Sequence, residues 1–83
     1  MKIYIVSCFE EEGYQTYFTR AFSSREAAER AIEEDATVNS TELGKELERV
    51  WDQNFKDYID IYYEDEDSEH SFTYRLSWCE LEN

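Results

Sequence analysis

A single histidine, His70, closes the acidic stretch Glu64-Asp65-Glu66-Asp67-Ser68-Glu69-His70, with Ser71 directly after it. Nucleophilic catalysis needs a hydroxyl or thiol held beside a base, and here the chain sets an imidazole near two hydroxyls. A polar acidic turn is a poor frame for that geometry, so a solvated loop histidine is expected. Counted from Asp65, the same stretch begins like a calcium loop, with Asp67 at the third position. His70 then stands where the loop needs its glycine, and Leu76 where it needs its bidentate glutamate. Cys8 and Cys79 lie near opposite ends of the chain and make no zinc-ligand cluster with one histidine. Both fall in strand-like runs and read as small buried hydrophobes, close together if the terminal strands are neighbours. The only glycines are Gly13 and Gly44, so there is no phosphate-cradling loop. The expectation is a protein without catalytic residue, metal or cofactor, and not an enzyme.

The chemistry the chain does carry is negative charge. It has 21 acids against 8 bases in 83 residues, a formal net charge of −13. Too few Lys and Arg remain to neutralise phosphates, which excludes unaided nucleic-acid binding, and anionic membrane surfaces repel such a chain. No apolar run approaches the ~18 residues of a membrane span. Met1-Lys2-Ile3-Tyr4-Ile5-Val6 lacks a signal-peptide layout. Two cysteines make no disulfide framework, so a reduced, cytoplasmic setting is expected. Solubility alone asks for a net charge of only about 2–8 in a small domain. The excess points to a functional demand for negative charge, answered by a basic protein surface or a cation.

The acids fall in three groups: Glu10, Glu11 and Glu12; Glu26, Glu29 and Glu33 at helical spacing, followed by Glu34 and Asp35; and Asp57 to Glu69, a stretch with seven acids and no base. Elsewhere Glu42–Lys45 and Asp52–Lys56 have the spacing of compensating helical pairs.

These groups need a frame. Aromatics make up 17% of the chain, which separates it from disordered acidic sequences, and its length suits one domain, residues 1–83. Residues 2–9 and 14–22 alternate in polarity around Glu10-Glu11-Glu12-Gly13 and read as a β-hairpin. Ser23 and Glu26 have capping-box spacing, opening a helix to about Asp35 with an apolar stripe of Ala27, Ala28, Ala31 and Ile32. Leu43, Leu47, Val50, Trp51 and Phe55 recur every three or four residues and predict a second helix over 41–57. Residues 58–63 and 72–81 alternate again. The expected fold is α+β in ββααββ order, a four-stranded, mainly antiparallel sheet with two helices on one face.

On one strand face, alternate residues recur every ~6.6–7 Å, close to the phosphate spacing along a nucleic-acid strand. Asp60, Tyr62, Glu64 and Glu66 thus outline a phosphate-like row with an aromatic ring in it. A domain of this length is roughly 30 Å long, and that length of duplex holds about 18 phosphates, near the protein's own charge. The opening strand, the hairpin, and Phe22-Ser23-Ser24-Arg25-Glu26-Ala27-Ala28-Glu29 look like small proteins of phages and mobile elements. Size, acidity and the lack of a catalytic motif resemble anti-CRISPR proteins, several of which act as DNA mimics. The likeness covers the first third of the chain by pattern and the rest by composition. That group shares no common motif, so it transfers no functional residue. It implies a non-catalytic inhibitor of a bacterial defence nuclease, foremost a CRISPR–Cas complex.

The reading from sequence is a protein that covers a basic nucleic-acid-binding surface. Its contacts are Asp60, Tyr62, Glu64, Asp65, Glu66, Asp67 and Glu69, with Glu26, Glu29, Glu33 and Glu34 as a second patch. Tyr62 or Tyr58 is the aromatic anchor. The alternative is a small interaction or regulatory module of a phage or bacterium whose acidity is incidental.

Overall fold

A computed structural model describes the backbone of residues 1–10 and 16–82, and the side chains of all of these except positions 9, 10 and 16–18. The expected acidic hairpin tip at Glu10, Glu11, Glu12 and Gly13 therefore lies outside the described side chains. Five strands and one helix follow in the order β1 (Lys2–Glu10), β2 (Thr16–Phe22), α1 (Arg25–Leu43), β3 (Leu47–Asn54), β4 (Tyr58–Asp65) and β5 (Ser71–Glu80). The strands form one sheet in the order β2-β1-β5-β4-β3, and every neighbouring pair is antiparallel.

The α+β class agrees with the expectation, but the element count does not. The second helix over 41–57 is absent: the end of α1 takes residues 41–43, and the edge strand β3 takes 47–54. The first helix runs on to Leu43 instead of ending near Asp35. The reason is distance. The chain leaves β2 at one edge of the sheet and must re-enter as β3 at the other, a crossing of about 19 Å at strand spacing. Eleven residues of helix reach only about 16 Å, whereas 19 residues reach about 28 Å. In the Thr37–Thr41 stretch, rich in capping and β-branched types, the threonine hydroxyls turn back onto the helix's own carbonyls, which leaves the helix unbroken. Thr37 Oγ1 donates to the Glu33 carbonyl at 2.9 Å, and Thr41 Oγ1 to the Thr37 carbonyl at 3.0 Å.

Both helix ends are fixed by local chemistry. Ser24, one residue later than the capping-box reading, is the N-cap and accepts from the Ala27 N–H at 3.2 Å. Glu26 pairs with Arg30 instead of closing the box. At the other end Gly44 takes φ 67°, a left-handed conformation that suits glycine. The Gly44 and Lys45 N–H groups return to the Thr41 and Ser40 carbonyls. Ser40 Oγ then accepts from the Leu47 N–H at 2.7 Å, which ties the start of β3 to the helix.

The core lies between the helix and one sheet face. Ala28, Ile32 and Ala36 of α1 meet Val6, Cys8, Ile59, Ile61, Tyr63, Tyr74 and Leu76. The small helix residues let α1 sit close to the sheet, so large strand side chains fill the layer. The fully buried Tyr74 hydroxyl donates to Asp35 Oδ2 at 2.6 Å and accepts from Asn39 Nδ2 at 3.1 Å. Burial, and then that bond to a carboxylate, push the Tyr74 phenol far above its ordinary pKa. Cys8 is buried as expected, but Cys79 is exposed. Cys8 pairs with Tyr74 and Cys79 with Ile3, so the two positions lie five residues apart along the β1–β5 ladder, about 17 Å. Among the described residues, no helix is long and apolar enough to cross a membrane.

Candidate partner-binding surface

One helix on a five-stranded sheet leaves the second sheet face without a helical layer. On β4 the core side takes Ile59, Ile61, Tyr63 and Asp65, and the open side takes Tyr58, Asp60, Tyr62 and Glu64. The β3–β4 register adds three facing pairs on that open side: Glu48 with Glu64, Trp51 with Tyr62, and Gln53 with Asp60. A β-bulge makes this set. The register shifts between Arg49 and Trp51, so Val50 is the extra residue and Trp51 is turned to the face opposite Arg49.

The open side of this hairpin is aromatic. The Trp51 ring stacks on Tyr62 with centroids 4.3 Å apart and planes 8° from parallel. Phe55, in the β3–β4 turn, stacks on Tyr58 at 4.4 Å. Trp51 is 51% exposed and Phe55 39%, although both fall on the apolar stripe of the helix read from sequence. Arg75 reaches over from β5. Its guanidinium lies 4.3 Å above the Tyr58 ring and bonds both Asp60 oxygens, at 2.8 and 3.0 Å.

That ion pair corrects the phosphate-like row. Asp60 is 5% exposed and neutralised by Arg75, so it is an internal strut. Asp65 is also withdrawn, on the core side at the end of β4. Its Oδ1 accepts from the Glu69 N–H at 2.8 Å and the His70 N–H at 3.4 Å, which folds the β4–β5 turn around it. Burial raises the Asp65 carboxyl, but the two backbone donors and Lys45 outweigh that and hold its pKa below the ordinary value. His70 is part of this turn scaffold through its backbone.

Nor is the acidic stretch without a base in three dimensions. Lys45, just past the helix end, points its ammonium at Glu69 (2.7 Å), Asp65 (3.6 Å) and Asp67 (3.6 Å). The sequence pairing Glu42–Lys45 gives way to this contact, and Asp52 pairs with Arg49 within β3 instead of with Lys56. Asp65, Glu69 and His70 also hold donor atoms within 4.8 Å of one another; the Lys45 ammonium already supplies a cation to that group.

The exposed acids that remain gather at one end of the molecule. Glu66 and Asp67 of the β4–β5 turn line an open groove of about 560 Å³ with Glu46, Glu48 and Lys45, the last of which pairs with Asp67. Half-buried Glu64 and exposed Glu69, the latter bonded to Lys45, lie beside them on the same turn and strand end. The second patch does not join them as a unit. Glu26 and Glu29 sit near the helix N-terminus, paired with Arg30 and Arg25. Glu33 lies farther along, beside the groove that also touches Lys45 and Glu46, and Glu34 is exposed on the same helix.

The size estimate changes as well. The long axis is 45 Å, which in duplex DNA holds about 26 phosphates, twice the protein's net charge. One strand of that duplex contributes about 13 of them.

Sequence reasoning missed Trp51, Phe55, Glu48 and Arg75. The signal for the first three was the polar run Asn54-Phe55-Lys56-Asp57 between two strand-length segments, with Gly44 upstream to stop the helix. The surface therefore belongs to an α+β protein with one helix-covered and one open sheet face, whose open face pairs aromatic stacks with an acidic end. No family model matches the chain, and no curated protein or solved structure matches it either.

Proposed function

We propose that this protein is a non-catalytic acidic inhibitor that occupies a basic, nucleic-acid-binding surface on another protein and keeps nucleic acid out. The observation that carries the reading is the gathering of four exposed carboxylates, from Glu46, Glu48, Glu66 and Asp67, around one groove that holds a single cation, Lys45, beside the half-exposed Trp51 ring stacked on Tyr62. Each feature alone is common on acidic domains. Together they offer the two things a single strand offers its binding channel, a row of negative charge and stackable rings. The resemblance to anti-CRISPR proteins suggests a bacterial defence complex as the partner class. Long-range attraction to a basic partner would also speed encounter in a salt-dependent way.

The test is capture of proteins from a bacterial lysate on the immobilised chain at physiological salt, followed by elution with single-stranded DNA. A variant with Glu48, Glu64, Glu66 and Asp67 changed to Lys runs beside it, its fold checked by circular dichroism. The reading expects a nucleic-acid-binding complex that DNA displaces and the variant fails to hold. Equal capture by both, untouched by DNA, would refute it. That outcome would favour the second reading, an interaction module that docks through the aromatic stacks and whose acidity only keeps it soluble. The exposure of Trp51 and Phe55 is what supports this rival.

A further inference from the structure

Strand β4 carries the same short pattern twice on its open side: Tyr58-Ile59-Asp60, then Tyr62-Tyr63-Glu64. In the first copy the pattern has a defined occupant. The Arg75 guanidinium lies over the Tyr58 ring, backed by Phe55, and makes two hydrogen bonds to Asp60. In the second copy the ring pair is Trp51 and Tyr62. The acid is Glu64, and β3 sets Glu48 directly opposite it. Where the first copy faces Arg75 on β5, Glu64 faces Ser71. Two like charges at a facing position repel. Among the described residues neither Glu48 nor Glu64 forms an ion pair; Glu64 accepts only a 3.4 Å hydrogen bond from Ser68 Oγ. The second copy thus has the ring and more than the charge of the first, but no cation on its carboxylates.

We propose that the Trp51–Glu48–Glu64 end of the β3–β4 hairpin is a docking site for an arginine side chain of a basic protein partner, with arginine preferred over lysine. This rests on the acidic-inhibitor reading and names the chemistry of its contact. A planar guanidinium can stack on the indole and bond the facing carboxylates, as Arg75 covers the Tyr58 ring and bonds both oxygens of the single Asp60 carboxylate four residues along the strand, about 13 Å away. An ammonium is a hydrated point charge that pairs with the acids but gains little from the ring. Trp51, half exposed, becomes the buried anchor of the contact, and the acid pair loses its repulsion when the cation arrives.

The experiment titrates hexa-arginine and hexa-lysine, equal in length and charge, into the intact protein at physiological salt. Binding is followed by calorimetry and by backbone and indole NMR shifts. The proposal expects hexa-arginine to bind about five- to tenfold more tightly, as a stacked and doubly hydrogen-bonded cation should. The largest shifts should fall on Trp51, Glu48 and Glu64. Trp51→Ala should erase the preference and leave both peptides at the hexa-lysine affinity. The double variant E48Q/E64Q, which keeps every side-chain shape, should weaken hexa-arginine by more than hexa-lysine. Equal affinities in the unaltered protein, or shifts centred on the helix, would overturn the proposal. Salt-dependent but unselective binding would overturn it while leaving the acidic-inhibitor reading standing. A clear arginine preference in a protein that captures nothing displaceable by DNA would do the reverse: the site would be real and the nucleic-acid competition wrong.

Discussion

Asp60 and Arg75 form a pair with unequal exposure, and that inequality sets an order of mutational effects. The Asp60 side chain is 7% exposed and the Arg75 side chain 42%. Asp60→Asn keeps the shape and one acceptor for Arg75, and the guanidinium, already half in water, stays hydrated; the expected loss is about 1 kcal/mol. Arg75→Met keeps an apolar side chain over Tyr58 but strands a buried carboxylate. Fully buried pairs broken this way lose about 3–5 kcal/mol. Because Arg75 reaches solvent, about 2–3 kcal/mol is expected here, after discounting for screening. A domain of 83 residues holds roughly 4–12 kcal/mol in total, so both variants should fold. With a urea m-value near 1 kcal/mol/M, the midpoint should fall by about 1 M for Asp60→Asn and about 2–3 M for Arg75→Met. The double variant should lie above Arg75→Met, since removing the charge relieves the stranding. Equal midpoints, or Asp60→Asn the worse of the two, would refute the assignment of Asp60 as an internal strut. If Asp60 were instead a partner contact, Asp60→Asn would weaken binding with no change in midpoint.

Tyr74→Phe removes the hydroxyl between Asp35 and Asn39. A bond to this partly buried carboxylate should be worth about 1.5 kcal/mol, or a Tm lower by roughly 6–12 °C; an unchanged Tm would show the triad contributes nothing. Asp65 has its folded pKa held below the ordinary value, so its contribution is complete above about pH 4, its unfolded range, and is lost as pH falls through the lower folded value. The stability difference between the unaltered protein and Asp65→Asn should be flat from pH 7 to about 4 and shrink below that; a difference that widens on acidification would contradict the hydrogen-bonded turn.

The charge excess, the strand alternation of residues 2–9 and 58–63 and the start of the helix were legible without coordinates. Each is a local property: a count, a period of two, a serine before an alanine-rich stripe. Residues 47–57 were not legible, for a physical reason. Leu47 points to the core and Trp51 away from it, four residues apart, because the Val50 bulge inserts an extra residue between the two faces. The result imitates a helical spacing. The length of α1 was hidden for another reason: it answers to the width of a sheet whose strand order is not written locally.

For the candidate surface the division is sharper. The sequence by itself determined that the protein is acidic, aromatic and without a catalytic motif, because these are sums over residues. Only the tertiary structure decided which acids act on the outside. It buried Asp60 against Arg75, closed Asp65 into a turn beside Lys45, and set Glu48 opposite Glu64 next to Trp51. Charge is conserved by folding, but its availability depends on which cation the chain brings alongside, and that is fixed by strand pairing between residues far apart in sequence.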